Sequence, residues 1–209
     1  MAESGSWPSI RKHGLLSTSA ILDLFGIKGH ARSAIEAEWR KESVSLSNPY
    51  YETVVVRDQK PMPEKALQRC LDGLSPSEWY RLLNHKTFFW LQVSRLRRLL
   101  RAGAYRKRSH TVISVDTCAL VQRHKDHITL SPINSGALFG GAGVKRGLNT
   151  FKPIDSFPYD EIKKRRRENA IVELAVEYSV PDISDLALSV EEWFRGRRSK
   201  VIWRRSGAV

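Results

Sequence analysis

The sequence predicts an α+β fold with mostly antiparallel pairing and helices flanking the sheet. Three observations carry this expectation. Short β-branched and aromatic runs recur between turn residues: Thr53–Val56, Thr87–Leu91, Thr111–Val115 and Ile128–Leu130. Helix starts with hydroxyl caps or a first-turn proline stand between them. Late in the chain, residues 169–181 read as one further strand, closed by Pro181.

Taken in order, Trp7-Pro8-Ser9-Ile10 opens a short helix, with Pro8 in its first turn and Gly14 as its stop. One hydroxyl of Ser17-Thr18-Ser19 caps a helix over Ala20–Phe25, which Gly26 ends. Residues 28–42 have helical spacing, and 43–52 read as a turn-rich loop around Asn48-Pro49. After the Thr53–Val56 run, two prolines hold Arg57-Asp58-Gln59-Lys60 on an ordered loop. Glu64–Leu71 reads as a helix. Ser75-Pro76-Ser77-Glu78 starts another, and Ser94 caps the arginine-rich one that follows the aromatic strand. In that last helix Leu96, Leu99 and Leu100 form the apolar face, while Arg95, Arg97, Arg98 and Arg101 point outward. Thr117–Gln122 reads as helix. Residues 134–150 hold five glycines and predict a long flexible loop of the kind that serves as a lid or binding loop. A basic helix is expected over Phe157–Arg167, a strand over Ile183–Val190, and a basic tail over 191–209.

The chain has 209 residues, enough for one domain with a real core. The expected division is a single domain over 1–190 plus the tail. No apolar run reaches the length of a membrane span and no signal-peptide pattern is present, so no membrane partner is expected. Cys70 and Cys118 lack metal-site spacing and read as reduced thiols, which points to a cytoplasmic location. Net charge is +13, and residues 95–209 carry 23 Lys/Arg against 12 Asp/Glu. The excess gathers in 95–108, 163–167 and 195–205. A polyanion such as nucleic acid and a merely solvated basic surface account for it about equally well.

Several chemistries lack their signatures. There is no phosphate-binding Gly-Lys-Ser/Thr loop, no Gly-x-Ser-x-Gly, no His-Glu-x-x-His and no Cys-x-x-Cys. The six histidines are scattered. His124 and His127, three apart, fit a helix end or the surface better than a metal site, so no metal is expected. In the late strand, period two puts Ile171, Glu173, Ala175 and Glu177 on one face and Val172, Leu174, Val176 and Tyr178 on the other. A wet edge with both glutamates solvated fits this strand best when it is read alone. A buried Glu173 would instead be a functional-site candidate.

The order of elements resembles the ADP-ribosyltransferase superfamily, and within it the DarT-type enzymes that modify DNA. The resemblance rests on Gly14-Leu15-Leu16 at the end of an early helix, on Arg57 before the aromatic strand, and on Val172-Glu173-Leu174-Ala175-Val176 with Val180-Pro181. The chain is also similar, over about residues 5–190, to uncharacterised bacterial proteins with the motifs Arg-Asp-Gln-Lys-Pro-Met and Ser-Pro-Ile-Asn-Ser-Gly, here 57–62 and 131–136. The superfamily carries a histidine, arginine or asparagine on a first strand before the Gly-Leu-Leu helix. The six residues before Trp7 hold none, so either that strand lies upstream or another residue takes the role.

The resemblance implies a split, mostly antiparallel sheet flanked by helices. It implies NAD as substrate, nucleic acid as acceptor, and a toxin or defence effector. Glu173 would be the catalytic carboxylate. Arg57 and Lys60 would meet the pyrophosphate, and Phe89 or Trp90 the nicotinamide, with Ser17, Asn134 and Ser135 completing the NAD site. Arg57 and Lys60 fit equally a surface ion pair with Asp58 or Glu64, and Phe88 and Trp90 fit core packing. Arg95, Arg98, Arg106, Arg108, Lys163, Lys164, Arg165 and Arg166 would hold the acceptor through its phosphates. The alternatives are a nucleic-acid-binding protein without catalysis and an NAD glycohydrolase without transfer.

Overall fold

The computed structural model describes residues 1–138, 144–162 and 170–207. Their architecture is α+β with antiparallel sheets and helices. The chain divides into two units, one formed by Met1–Leu15, Trp90–Lys125 and Val180–Val209, the other by Leu16–Phe89 and Asp126–Ser179.

The first unit is built on a four-stranded sheet of order β1 (Ala2–Glu3), β6 (Ser109–Val115), β11 (Ala187–Phe194), β12 (Arg197–Arg204). All three pairings are antiparallel. A strand does therefore precede the Gly-Leu-Leu helix, with Ala2 opposite Thr111. Helix α1 (Trp7–His13) and helix α6 (Val93–Arg101) cover opposite faces of this sheet. Val112 and Trp193 pack with Leu96 and Leu100 of α6, while Val190 packs with Trp7 of α1, and residues one apart on a strand face opposite ways. Gly14 ends α1 at φ +85°, and a Cβ there would lie 2.7 Å from the Pro181 Cα, so only glycine fits. Asp116 caps α7 (Thr117–His124), accepting from the Ala119 N–H at 3.0 Å.

Three expectations are corrected in this unit. Residues 191–204 are strand rather than tail, because Glu191, Trp193 and the basic run after Gly196 close an antiparallel hairpin. The run 183–190 splits into a short helix, α8 (Ile183–Leu186), and the start of β11. The N-cap of α6 is Gln92 and not Ser94, and it makes no side-chain capping bond.

The second unit carries β5 (Lys86–Trp90, its last residue belonging to the first unit), β9 (Glu173–Glu177), β7 (Ile128–Ser131) and β8 (Lys152–Pro153) in that order. Helix α2 (Thr18–Leu24) and helix α3 (Gly29–Glu36) pack Leu22 and Ile35 against Leu46 and Val56 of a hairpin, β3 (Val44–Asn48) with β4 (Tyr51–Val56). The expected loop at 43–52 is thus mostly strand, with Pro49 and Tyr50 forming the turn of the hairpin. Helix α4 (Glu64–Gln68) and helix α5 (Pro76–Asn84) bring Leu67, Trp79, Tyr80 and Leu83 onto Phe151 and Ala175. Ser75 and Glu78 form a capping box at the start of α5. Helix α3 stops at Glu36, well before residue 42. Short strands β2 (Leu15–Leu16) and β10 (Ser179–Val180) stand at the borders of the units. Residues 157–162 are not helical, and the rest of the expected basic helix lies outside the described residues.

Candidate functional site

Strand β9 lies inside its sheet, between β5 and β7, and both of its faces are covered. Val172, Glu173, Leu174, Ala175 and Val176 are all buried. This overturns the expected wet edge: Glu173 is 5% exposed. A carboxylate removed from water must find donors. It finds them in the Ser131–Gly136 segment, which leaves the end of β7 directly opposite it, Ser131 pairing with Glu173. The Ser131 hydroxyl donates to the Ile133 carbonyl at 3.0 Å and turns the chain back. Ser135 then offers Glu173 Oε2 two donors, its N–H at 3.0 Å and its hydroxyl at 2.7 Å. The Asn134 side chain is spent inside the turn, its Oδ1 accepting from the Gly136 N–H at 3.1 Å. The Ser-Pro-Ile-Asn-Ser-Gly motif is therefore a clamp on Glu173.

Three contacts fix the neighbouring strand. The Tyr178 N–H donates to the His85 carbonyl, the Thr87 hydroxyl donates to the Val176 carbonyl at 3.3 Å, and Lys86 pairs with Glu177. Position rises along β5 as it falls along β9, so the strands run antiparallel. Alternation then puts Phe88 on the face of Glu173 and Ala175, and Phe89 on the opposite face with Leu174 and Val176. Phe88 packs 6.1 Å from the Phe151 ring. Trp90 belongs to the other unit, where it packs on the core formed by Leu96, Leu100, Val112 and Trp193.

Arg57 follows the end of β4. Its carbonyl accepts from Arg40 Nε at 2.6 Å. The Arg40 guanidinium is buried and also donates to the Ile35 carbonyl and, at 3.2 Å, to Asn84 Oδ1. Burial pushes Arg40 down to about 10, against the opposing pull of Asp58. Arg40 thus organises the Arg57–Met62 segment, a role its sequence context did not announce. Lys60 is exposed and paired with Glu42 at 3.1 Å, neither Asp58 nor Glu64. The Ser17 hydroxyl is the N-cap of α2, accepting from the Ala20 N–H at 3.2 Å. Of the residues expected around NAD, Ser135 is hydrogen-bonded to Glu173.

The expected acceptor residues are also sorted. Arg95 donates to Gln92 Oε1 at 3.1 Å, and Arg108 is paired with Glu3. Arg98 is exposed in the last turn of α6. Arg106 lines a concavity of about 400 Å³ together with Arg101, Lys107 and Arg195. Lys163, Lys164, Arg165 and Arg166 lie outside the described residues. His124 meets Asp182 Oδ1 at 2.7 Å at the end of α7.

A family model, described as a family of unknown function (DUF7002), matches residues 1–187. The chain belongs to the DUF7002 family. No curated protein and no solved structure matches it. The match takes in the whole Glu173 clamp of this DUF7002 chain and stops before the tip of the β11–β12 hairpin. Among the described residues no helix is long and apolar enough to cross a membrane.

Proposed function

We propose that the chain is an NAD-consuming ADP-ribosyltransferase with a nucleic-acid acceptor, working in the cytoplasm. One observation carries the reading: the buried Glu173 carboxylate, oriented by two Ser135 donors at the first position of an interior strand. In such a reaction the bond from ribose C1′ to the nicotinamide nitrogen breaks and positive charge grows on the ribose. A fixed carboxylate at the ribose stabilises that charge, and the acceptor then bonds to C1′ while losing a proton. The split into two antiparallel four-stranded sheets is compatible with the implied fold. Phe88 lies on the Glu173 face and takes the place first given to Phe89 or Trp90. Lys60, being paired with Glu42, is the weakest of the proposed NAD contacts.

A second reading, nucleic-acid binding without chemistry, is favoured by the low exposure of Glu173, which suits a structural carboxylate.

The test is incubation with labelled NAD plus DNA, RNA or protein. Label is expected in the nucleic-acid fraction. Glu173→Gln keeps an acceptor for both Ser135 donors, so it is expected to fold normally while losing about 10²–10³ in turnover. Wild-type turnover in that variant rules out the catalytic role. Release of free ADP-ribose with no labelled acceptor identifies a glycohydrolase.

A further inference from the structure

In the first unit, Arg101 at the end of α6, Arg106 and Lys107 in the following turn, and Arg195 at the tip of the β11–β12 hairpin surround one concavity. Three cations elsewhere in this unit are ion-paired: Arg108 with Glu3, Arg123 with Asp182, Arg198 with Glu191. None of the four around the concavity has a carboxylate partner among the described residues. Four like charges converging on one hollow repel one another, and an anion relieves that repulsion.

The hairpin tip supplies an independent observation. Arg195 and Gly196 have φ of +52° and +72°. Together they make a two-residue turn between paired Phe194 and Arg197. Both central positions of such a turn favour glycine, asparagine or aspartate. Gly196 meets this demand, and a Cβ there would also lie 3.1 Å from the Arg97 carbonyl and from Arg101 Cγ. The tip is therefore seated on α6. Arg195 does not meet it: an arginine accepts the left-handed conformation at a cost where asparagine would sit freely. Its guanidinium rests 5.3 Å from the centre of the half-exposed Phe194 ring, which orients the planar head and leaves its N–H edges free for an oxyanion.

We propose that this concavity is a dock for the sugar–phosphate backbone of nucleic acid, with Arg101, Arg106, Lys107 and Arg195 taking neighbouring phosphates. The proposal deepens the nucleic-acid half of the reading above and does not depend on the NAD chemistry. The hollow's volume exceeds what one phosphate fills, and its lining joins the end of α6 and its following turn to the distant hairpin tip, which fits a chain of phosphates better than a single ion. A concave, cation-lined hollow also suits an entering strand better than a flat bilayer. The contacts are to phosphate, so binding is independent of base sequence.

The experiment is fluorescence anisotropy of the full chain with a labelled 20-base oligonucleotide, single-stranded and as a duplex, over a salt series without NAD. Arg195→Asn removes one cation and relaxes the turn. It is expected to raise or keep Tm and to lower the salt slope, log K against log salt, by ~0.9 on duplex or ~0.7 on single strands. Arg101→Gln with Arg106→Gln and Lys107→Gln is expected to remove about three such contacts. Unchanged slopes in both variants overturn the proposal. So does preferential binding of phosphatidylserine vesicles through the same four residues, which would assign the hollow to a membrane surface. Oligonucleotide binding that depends on these residues, in a protein that never consumes NAD, upholds the dock while sinking the transferase reading. Labelled transfer with unchanged slopes in the variants does the reverse.

Discussion

Glu173 and Ser135 show how much one hydroxyl carries. The carboxylate has left water, and Ser135 Oγ supplies one of the two donors that replace it at Oε2. Ser135→Ala keeps the backbone donor and deletes the other. A buried acceptor deprived of a donor costs about 1–3 kcal/mol. The expected result is a lower Tm, measured by calorimetry; an unchanged Tm would mean the clamp is incidental to the fold. Four residues further along β9, at Glu177, the logic is asymmetric. Lys86 has a 3% exposed side chain and pairs with the 34% exposed Glu177, with the Phe151 ring 4.9 Å from its ammonium. Glu177→Ala leaves a buried ammonium without its carboxylate, a change that typically costs about 3–5 kcal/mol for a fully buried pair and less here because Glu177 is partly solvated. Lys86→Met removes the charge and keeps the volume, so it is expected to be much milder. Equal losses of Tm in the two variants would contradict this.

At the scale of elements, the flexible loop that five glycines suggested over 134–150 can be followed at its two ends. Its centre lies outside the described residues. Its ends are tied down. Arg146 is 4% exposed, and its guanidinium donates at 2.8 Å to the carbonyls of Val144 and Ala137. The Arg146 backbone bonds to Cys70 and Asp72, and the Leu138 N–H donates to the Pro61 carbonyl. Slow hydrogen exchange is therefore expected at Leu138, Arg146 and Asp72 in the free protein. Fast exchange there would show that the ties are not made in solution.

Helix α3 gives an element-scale prediction in pH. Arg32 pairs with Glu36 on its own helix and with Asp23 on α2. The Arg32 and Tyr178 hydrogen bonds hold Asp23 below its ordinary value. Burial pushes Glu36 up, but Arg32 and Ser19 outweigh it and the net shift is down. Both folded pKa values are depressed, so the stabilisation is complete above the unfolded carboxylate values, about 4. It is lost as pH falls through the depressed folded values. Tm is expected to fall steeply below about pH 4, and Arg32→Gln to flatten that fall. A variant with the wild-type acid profile would refute the assignment.

For the whole molecule the governing quantity is a net charge of +13. Self-repulsion of this size opposes folding, and salt screens it over about 10 Å at 0.1 M. Raising salt from low to moderate concentration is expected to raise Tm, and a short polyphosphate to raise it further at equal ionic strength. A Tm that falls with salt would mean that the surface ion pairs outweigh the repulsion.

The amino-acid sequence determined what is local. The Pro8 and Ser75-Pro76 helix starts, the Gly14 and Gly26 stops, a hydroxyl cap within Ser17-Thr18-Ser19 and the short apolar strands all depend on residues a few positions apart, and such interactions are written in neighbouring letters. It also singled out Glu173 and the Ser131–Gly136 motif, but as separate features. Only the tertiary structure joined them, because Ser135 and Glu173 are 38 positions apart and meet through the β7–β9 register. The same reason explains the errors. Whether β9 is an edge depends on which strands pair with it, and the alternation of its side chains is the same at an edge and in the interior. Whether 191–204 is tail or hairpin depends on a partner, β6, some 80 positions earlier in the chain. The four cations around the hollow come from positions 101 to 195, and their convergence follows from Gly196 seating the hairpin on α6, a contact that no spacing in the sequence encodes.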